Sequence, residues 1–397
     1  MFVNIFLKIL PFGLLFLAKW VKIYATKVFY LSGKAEKGEK MDYCEKRLTK
    51  LRTAMNEADC EAILITEPMN QTWLCGFEYH DGYMLITHKN AYIITDSRYT
   101  EAARANTSDS FTVTVSATPA TVEKLLCEEG VKGALFFEDR YLSYASAKRL
   151  EDGVNRRIIA SGGMLDSLRE FKDEAEFAAI RKAQELTDMA FEHILGVLNP
   201  EMTETDVAVE LEFFLRKHGA SGKSFDFITV SGEASSLPHG EPKDRKLRRG
   251  FLTMDFGCIY QGYCSDMTRT VCLGKADDEM KKLYNTVLEA QTAALDIITD
   301  GMLCRDVDKA ARDIIEKEYA GKFGHGLGHG VGKFIHEAPR LSPMAGDTVL
   351  RPGHVVTVEP GIYLEGKYGC RIEDMVFITP GGRECITHSK KELIELF

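Results

Sequence analysis

The stretch Phe251–Leu273, FLTMDFGCIYQGYCSDMTRTVCL, decides how the C-terminal half of the chain folds. Two apolar runs, Phe251–Gly257 and Tyr263–Leu273, flank the turn Tyr260-Gln261-Gly262, a pattern that predicts a hairpin. Acid interrupts each run. Asp255 and Asp266 have their numbering midpoint inside that turn, so a hairpin of this register sets them face to face with Cβ atoms about 4.5–5.5 Å apart. Like charges so placed repel, and a metal ion between them is the natural remedy. The arrangement recurs downstream, where Glu359 and Glu373 have their midpoint on Gly366, inside the turn Leu364–Gly369. Leu252, Met254 and Met267 beside the first pair, and Val356, Val358, Ile372 and Met375 beside the second, mark core-lining strands where unpaired carboxylates are costly.

Each hairpin follows two helical segments. The first begins near Asp173 and carries Phe177, Ile180, Leu186, Ala190 and Ile194 at helical spacing; the next follows Thr203 and Thr205, suitable N-caps, and stops at Gly219. The order repeats with Asp277–Asp300, bearing Leu283, Val287, Ala290, Ala294 and Ile297, and then Asp306–Tyr319. Two helix–helix–hairpin halves predict an α+β architecture with an antiparallel sheet, helices packed on one face and pseudo-twofold symmetry. Upstream, a helix over Tyr43–Glu57, strands at Ala62–Ile65, Met84–Thr87, Ala91–Thr95, Thr112–Val115 and Ala134–Phe137, and a helix over Ala120–Glu129 predict an α/β domain. The pattern changes near Ser161–Phe171, which gives boundaries of 41–165 and 166–397.

Between the hairpins lies Phe323–Glu337, FGHGLGHGVGKFIHE, with His325, His329 and His336 among glycines that let backbone approach a site closely. Hard carboxylate oxygens plus imidazole suit Mn²⁺, Co²⁺, Zn²⁺ or Fe²⁺ rather than Ca²⁺, and four acids are too many for one small cation. Two metals are implied. Such a pair, about 3.5–4 Å apart, activates water and clamps both oxygens of a hydrolytic transition state.

These segments resemble the pita-bread metallopeptidases, in the branch of Xaa-Pro aminopeptidases (aminopeptidase P) and Xaa-Pro dipeptidases (prolidases). The likeness covers roughly residues 43–397 and rests on MDFGCIYQGYCSDMTRT, GHGLGHGVGKFIHE, TVEPGIY and CRIED, in that order. LCGFEYHDGYMLIT and ITDSRYTEAA resemble the family's N-terminal domain. The resemblance implies a pita-bread catalytic domain preceded by a creatinase-type domain, in a homodimer that takes proline-containing peptides. It places five metal ligands on Asp255, Asp266, His329, Glu359 and Glu373, with Asp266 and Glu373 bridging two divalent ions, Mn²⁺ first among them. Glu359 is read as also shuttling a proton, and His239, in SSLPHGEPKDRKL, and His336 as bonding the peptide. His325 is read as shaping a proline pocket, and Arg371 as orienting Glu373 or the substrate's carboxyl end. Xaa-Pro aminopeptidase comes first, because LPHG and GHGVG look like the short bacterial type; the dipeptidase is the alternative. The complete ligand set argues against a metal-free creatinase-like hydrolase and against a non-catalytic peptide- or protein-binding relative.

Composition narrows the rest. The 397 residues are 45% hydrophobic and 27% charged, enough apolar mass for sizeable cores. A formal charge of −9 supplies no field for nucleic acid. The ten cysteines are scattered singly, as in a cytoplasmic protein, and Cys264 and Cys370 are read as buried thiols rather than ligands. Residues 1–40 stand apart, with seven Lys against two Glu. Their longest uncharged apolar run, Ile9–Ala18, is broken by Pro11 and falls short of the roughly 20 residues a spanning helix needs. The expectation is an extension upstream of the natural start at Met41; a signal segment or a membrane-surface anchor is the disfavoured reading.

Overall fold

The computed structural model describes residues 37–397, with side chains from Asp42 onward, so the expectations for residues 1–36 lie outside the described residues. Its first helix runs Lys37–Glu57 and therefore crosses residue 41. No helix among the described residues is long and apolar enough to cross a membrane.

A six-stranded sheet forms the first layer system, in the order Phe111–Val115, Ala91–Thr95, Gly82–Thr87, Ala62–Ile65, Leu135–Phe137, Ile158–Ala160. Strand Ala62–Ile65 is antiparallel to Gly82–Thr87 and parallel to Leu135–Phe137. Its alternation is direct: Ile63 and Ile65 join one core with Leu51, Trp73 and Met84, while Ala62 and Leu64 join the opposite one with Leu85, Val122 and Leu126. The predicted strands are present. Short elements escaped the reading: the helices Pro68–Cys75, Thr100–Asn106, Tyr144–Val154 and Met164–Arg169, and the strand Ile158–Ala160.

The later part of the chain repeats itself as predicted. Helices Glu174–Val197 and Glu204–Lys217 open one half, each started by a capping box, Asp173 with Glu176 and Thr203 with Asp206. Helices Asp278–Ile297 and Cys304–Glu316 open the other, the first capped by Asp277. Strands Ile228–Ser231, Gly250–Phe256 and Met267–Leu273 then lie side by side, and so do Gly328–Gly330, Val355–Val358 and Asp374–Thr379 in the same order. Even an isolated bridge is repeated, Thr203 with Lys246 and Leu303 with Val349. The helices cover one face of each sheet, burying Leu186, Ile194 and Leu211 against Met254 and Val271, and Leu283, Val287 and Ala294 against Val356 and Val376. The halves meet where the Glu373 amide donates to the Thr268 carbonyl at 3.1 Å.

Register corrects one expectation. The ladder pairs Asp255 with Thr268, not with Asp266. Tyr260 pairs with Tyr263, and Gln261 and Gly262 both have positive φ, 50° and 79°, so the turn has two central residues of the primed kind. That fixes Asp266 two residues off the partner position, a diagonal neighbour of Asp255 beyond the end of strand Met267–Leu273. The second pair keeps its predicted register. Val358 pairs with Asp374 and Gly361 with Arg371, so Glu359 and Glu373 face each other across a break between two short ladders.

Candidate metal centre

The two breaks in the ladders converge. Asp266, His329 and Glu373 are buried, and each offers a ligand atom within 4.8 Å of the others. His329 Nε2 lies 3.5 Å from Asp266 Oδ2 and 3.4 Å from Glu359 Oε1. Its Nδ1 bonds the Gly330 carbonyl at 3.0 Å, which holds the proton there and leaves Nε2 as the free donor atom. Glu359 is steadied by Thr357 Oγ1 at 3.2 Å and Glu373 by Thr268 Oγ1 at 2.7 Å. Asp255 stands beside them with Oδ2 held by Arg371 at 2.6 Å, while its other oxygen, Oδ1, is buried with no hydrogen-bond partner.

The electrostatics ask for positive charge. Burial, reinforced by the neighbouring Glu373, Asp255 and Glu359, lifts the Asp266 carboxyl well above the usual range. Glu373 is raised in the same way by burial and then by Glu359 and Asp255, and burial pushes Glu359 up to about 8. Burial lowers His329 to about 3, so its imidazole is neutral and available as a ligand. Four acids converging in one cavity, one buried carboxylate oxygen lacking any donor and one neutral imidazole fit divalent cations by donor chemistry.

Every residue named from the sequence lines one cavity of about 930 Å³: Asp255, Asp266, His329, Glu359 and Glu373, with His239, His325, His336 and Arg371. Arg371 is engaged on all sides. It reaches Asp255, Thr268 Oγ1 at 2.9 Å, Tyr363 Oη at 2.7 Å and the Pro238 carbonyl at 3.3 Å, so its link to Glu373 runs through Thr268. Burial lowers His325 to about 4, and its neutral ring lies between the Gly326 carbonyl at 2.9 Å and Tyr363 Oη at 3.1 Å. Cys264 and Cys370 are free buried thiols.

Sequence reading missed Arg340. It pairs with His329 across the ladder, which aims it into the same cavity, and among the described residues its guanidinium has no hydrogen-bond or ion-pair partner. The signal was available in HEAPR: a charged residue alternating with buried Pro339 and Leu341 on a strand beside the histidine loop.

Fold and site together define a metal-dependent hydrolase with its acids on paired hairpins. Residues 178–380 match metallopeptidase family M24 and residues 47–171 match the creatinase/prolidase N-terminal domain. The chain belongs to that family of metallopeptidases, in its Xaa-Pro peptidase branch, and hydrolyses peptide bonds. It is 34% identical over 358 residues to an Xaa-Pro dipeptidase of Pyrococcus horikoshii, covering 89% of this chain and 100% of the relative. The solved Xaa-Pro dipeptidase from Bacillus anthracis superimposes with a TM-score of 0.86 at 41% identity, covering 89% of this chain and all of that one. The X-Pro aminopeptidase of Thermotoga maritima does so with a TM-score of 0.80 at 34% identity, over 87% of this chain and all of its own.

Proposed function

We propose that this chain is an Xaa-Pro dipeptidase working with two divalent cations, Mn²⁺ first among them. Arg340 carries this reading: an unpartnered cation in the cavity, across the ladder from His329, is placed to receive the free carboxylate of a C-terminal proline. The dipeptidases among the relatives support it. It also shifts the order of the sequence reading, in which the aminopeptidase stood first. Asp255, Asp266, His329, Glu359 and Glu373 would hold the cations. When bound, the ions activate water and polarise the scissile carbonyl. Glu359 accepts the water's proton and returns it to the leaving proline nitrogen. His239 and His336, reaching the cavity from separate segments, bond the peptide as charge develops on its oxygen. Arg371 holds Asp255 in place, and Tyr363 backs His325 at the cavity wall. Residues 41–165 form the N-terminal domain and 166–397 the catalytic one.

Rates on Xaa-Pro, Xaa-Pro-amide and Xaa-Pro-Yaa test the reading. The dipeptide should be the best substrate, and Arg340→Ala should raise its KM while leaving the amide unchanged. Equal rates on dipeptide and tripeptide, untouched by Arg340→Ala, would favour the aminopeptidase.

A further inference from the structure

His336 points into the cavity, yet among the described residues its ring has no hydrogen-bond partner; its aromatic neighbour is His329, ring centroids 4.4 Å apart. The backbone on either side must therefore set its place. On one side, Phe334 packs between the Tyr141 ring, 5.6 Å away, and the Arg169 guanidinium, 4.8 Å from its centroid. On the other, the Glu337 carboxylate, 5% exposed, takes Lys172 Nζ at 2.9 Å and Arg169 Nε at 3.5 Å. It also accepts the Phe334 amide at 3.2 Å, which closes the loop on itself. Gly332 permits that closure, since a Cβ there would lie 2.4 Å from Glu337 Oε2.

Arg169 joins both anchors to the six-stranded-sheet domain. It donates to Asn70 Oδ1 in that domain, and on its own helix to Asp166 Oδ1 at 3.0 Å. Asn70 in turn donates to Glu138 Oε1 at 2.5 Å, and Glu138 accepts the Thr66 and Glu67 amides at 2.6 and 2.8 Å. Although burial alone would raise the Glu337 carboxyl, Lys172 and Arg169 hold it below its ordinary range, so this is an ionised, paired group.

We infer that Arg169 is a positioning residue for His336: through it, the N-terminal domain clamps the loop Gly332–Glu337 and so sets the imidazole against the substrate. The inference rests on the reading of His336 as a group that bonds the peptide. Loose placement of such a group lowers turnover rather than substrate affinity.

The test is a double-mutant cycle on the full chain, with Arg169→Ala, Arg169→Lys, His336→Ala and the Arg169→Ala/His336→Ala pair. Arg169→Ala should lower kcat about 10- to 100-fold with KM and metal content near normal. The double variant should be no slower than His336→Ala alone. Arg169→Lys, which keeps a charge on Glu337, should recover part of the rate. Phe334→Leu removes the stacked anchor without stranding a buried charge, and should show the same non-additivity if Arg169→Ala folds poorly. Additive losses with His336, or wild-type turnover of Arg169→Ala, would overturn the inference while leaving the role of His336 intact. Wild-type turnover of His336→Ala would instead overturn that role, and the inference with it.

Discussion

The Thr268 hydroxyl stands between two charges, accepting from Arg371 Nε at 2.9 Å and donating to Glu373 Oε2 at 2.7 Å. Through it the cation that holds Asp255 also fixes which Glu373 oxygen is free. Groups behind metal ligands typically alter metal affinity 10- to 100-fold when lost. Thr268→Val should therefore weaken divalent-ion binding by about that factor, read by titrating chelated protein. In the proposed centre, Asp266→Asn and Glu373→Gln remove ligand charge itself and should abolish hydrolysis. His239→Ala and His336→Ala should each cost about 10²–10³ in kcat while retaining metal, because neither is a ligand in the proposed scheme; loss of metal from either would contradict the assignment. The acids were legible because carboxylates are unusual inside apolar runs, and the histidines because of the glycine-rich run Phe323–Glu337 and the family resemblance, which alone singled out His239. Thr268 and Tyr363 were not, since a hydroxyl on a strand carries no signal until its partners are placed.

At the scale of elements, strand Gly328–Gly330 depends on its glycines. A Cβ on Gly328 would lie 2.0 Å from the Thr357 carbonyl oxygen, and one on Gly330 would lie 2.2 Å from that of Ala338. Neighbouring backbone therefore runs directly against the His329 strand, which keeps His329 within reach of Glu359. Gly328→Ala should cost about 1–3 kcal/mol of stability by forcing the strands apart, measured by denaturant melts, and should lower metal affinity together with activity. The long helices were legible from periodicity and from Asp173, Thr203 and Asp277, which cap them. Segments such as Thr100–Asn106 span too few turns to show a period. The Asp255–Asp266 register differs from the expected one for a related reason: the turn centre lies between Gln261 and Gly262, where both residues take positive φ, one residue beyond the midpoint of the two acids.

For the molecule as a whole, pH separates the protein with and without its cations. Burial holds His325 and His354 neutral down to about 4, so above their ordinary value of 6.5 they carry no proton folded or unfolded. Glu359, pushed up to about 8, keeps in the folded chelated protein a proton that the unfolded chain has already released. Stability of chelated protein should therefore fall as pH rises from about 6.5 to 8, with Asp266 and Glu373 acting in the same direction. Saturating Mn²⁺, which binds only the ionised cluster, should flatten that slope. The two-half plan of the fold was legible because each half repeats its order of elements; the clamp between Arg169 and Glu337 was not, since the two lie far apart in sequence. Metal stoichiometry against turnover decides whether the four acids and His329 form a two-ion hydrolytic centre. Chelated protein should be inactive and regain Xaa-Pro hydrolysis as about two Mn²⁺ bind per chain, with Glu373→Gln regaining none; full turnover with no more than trace divalent metal would contradict it.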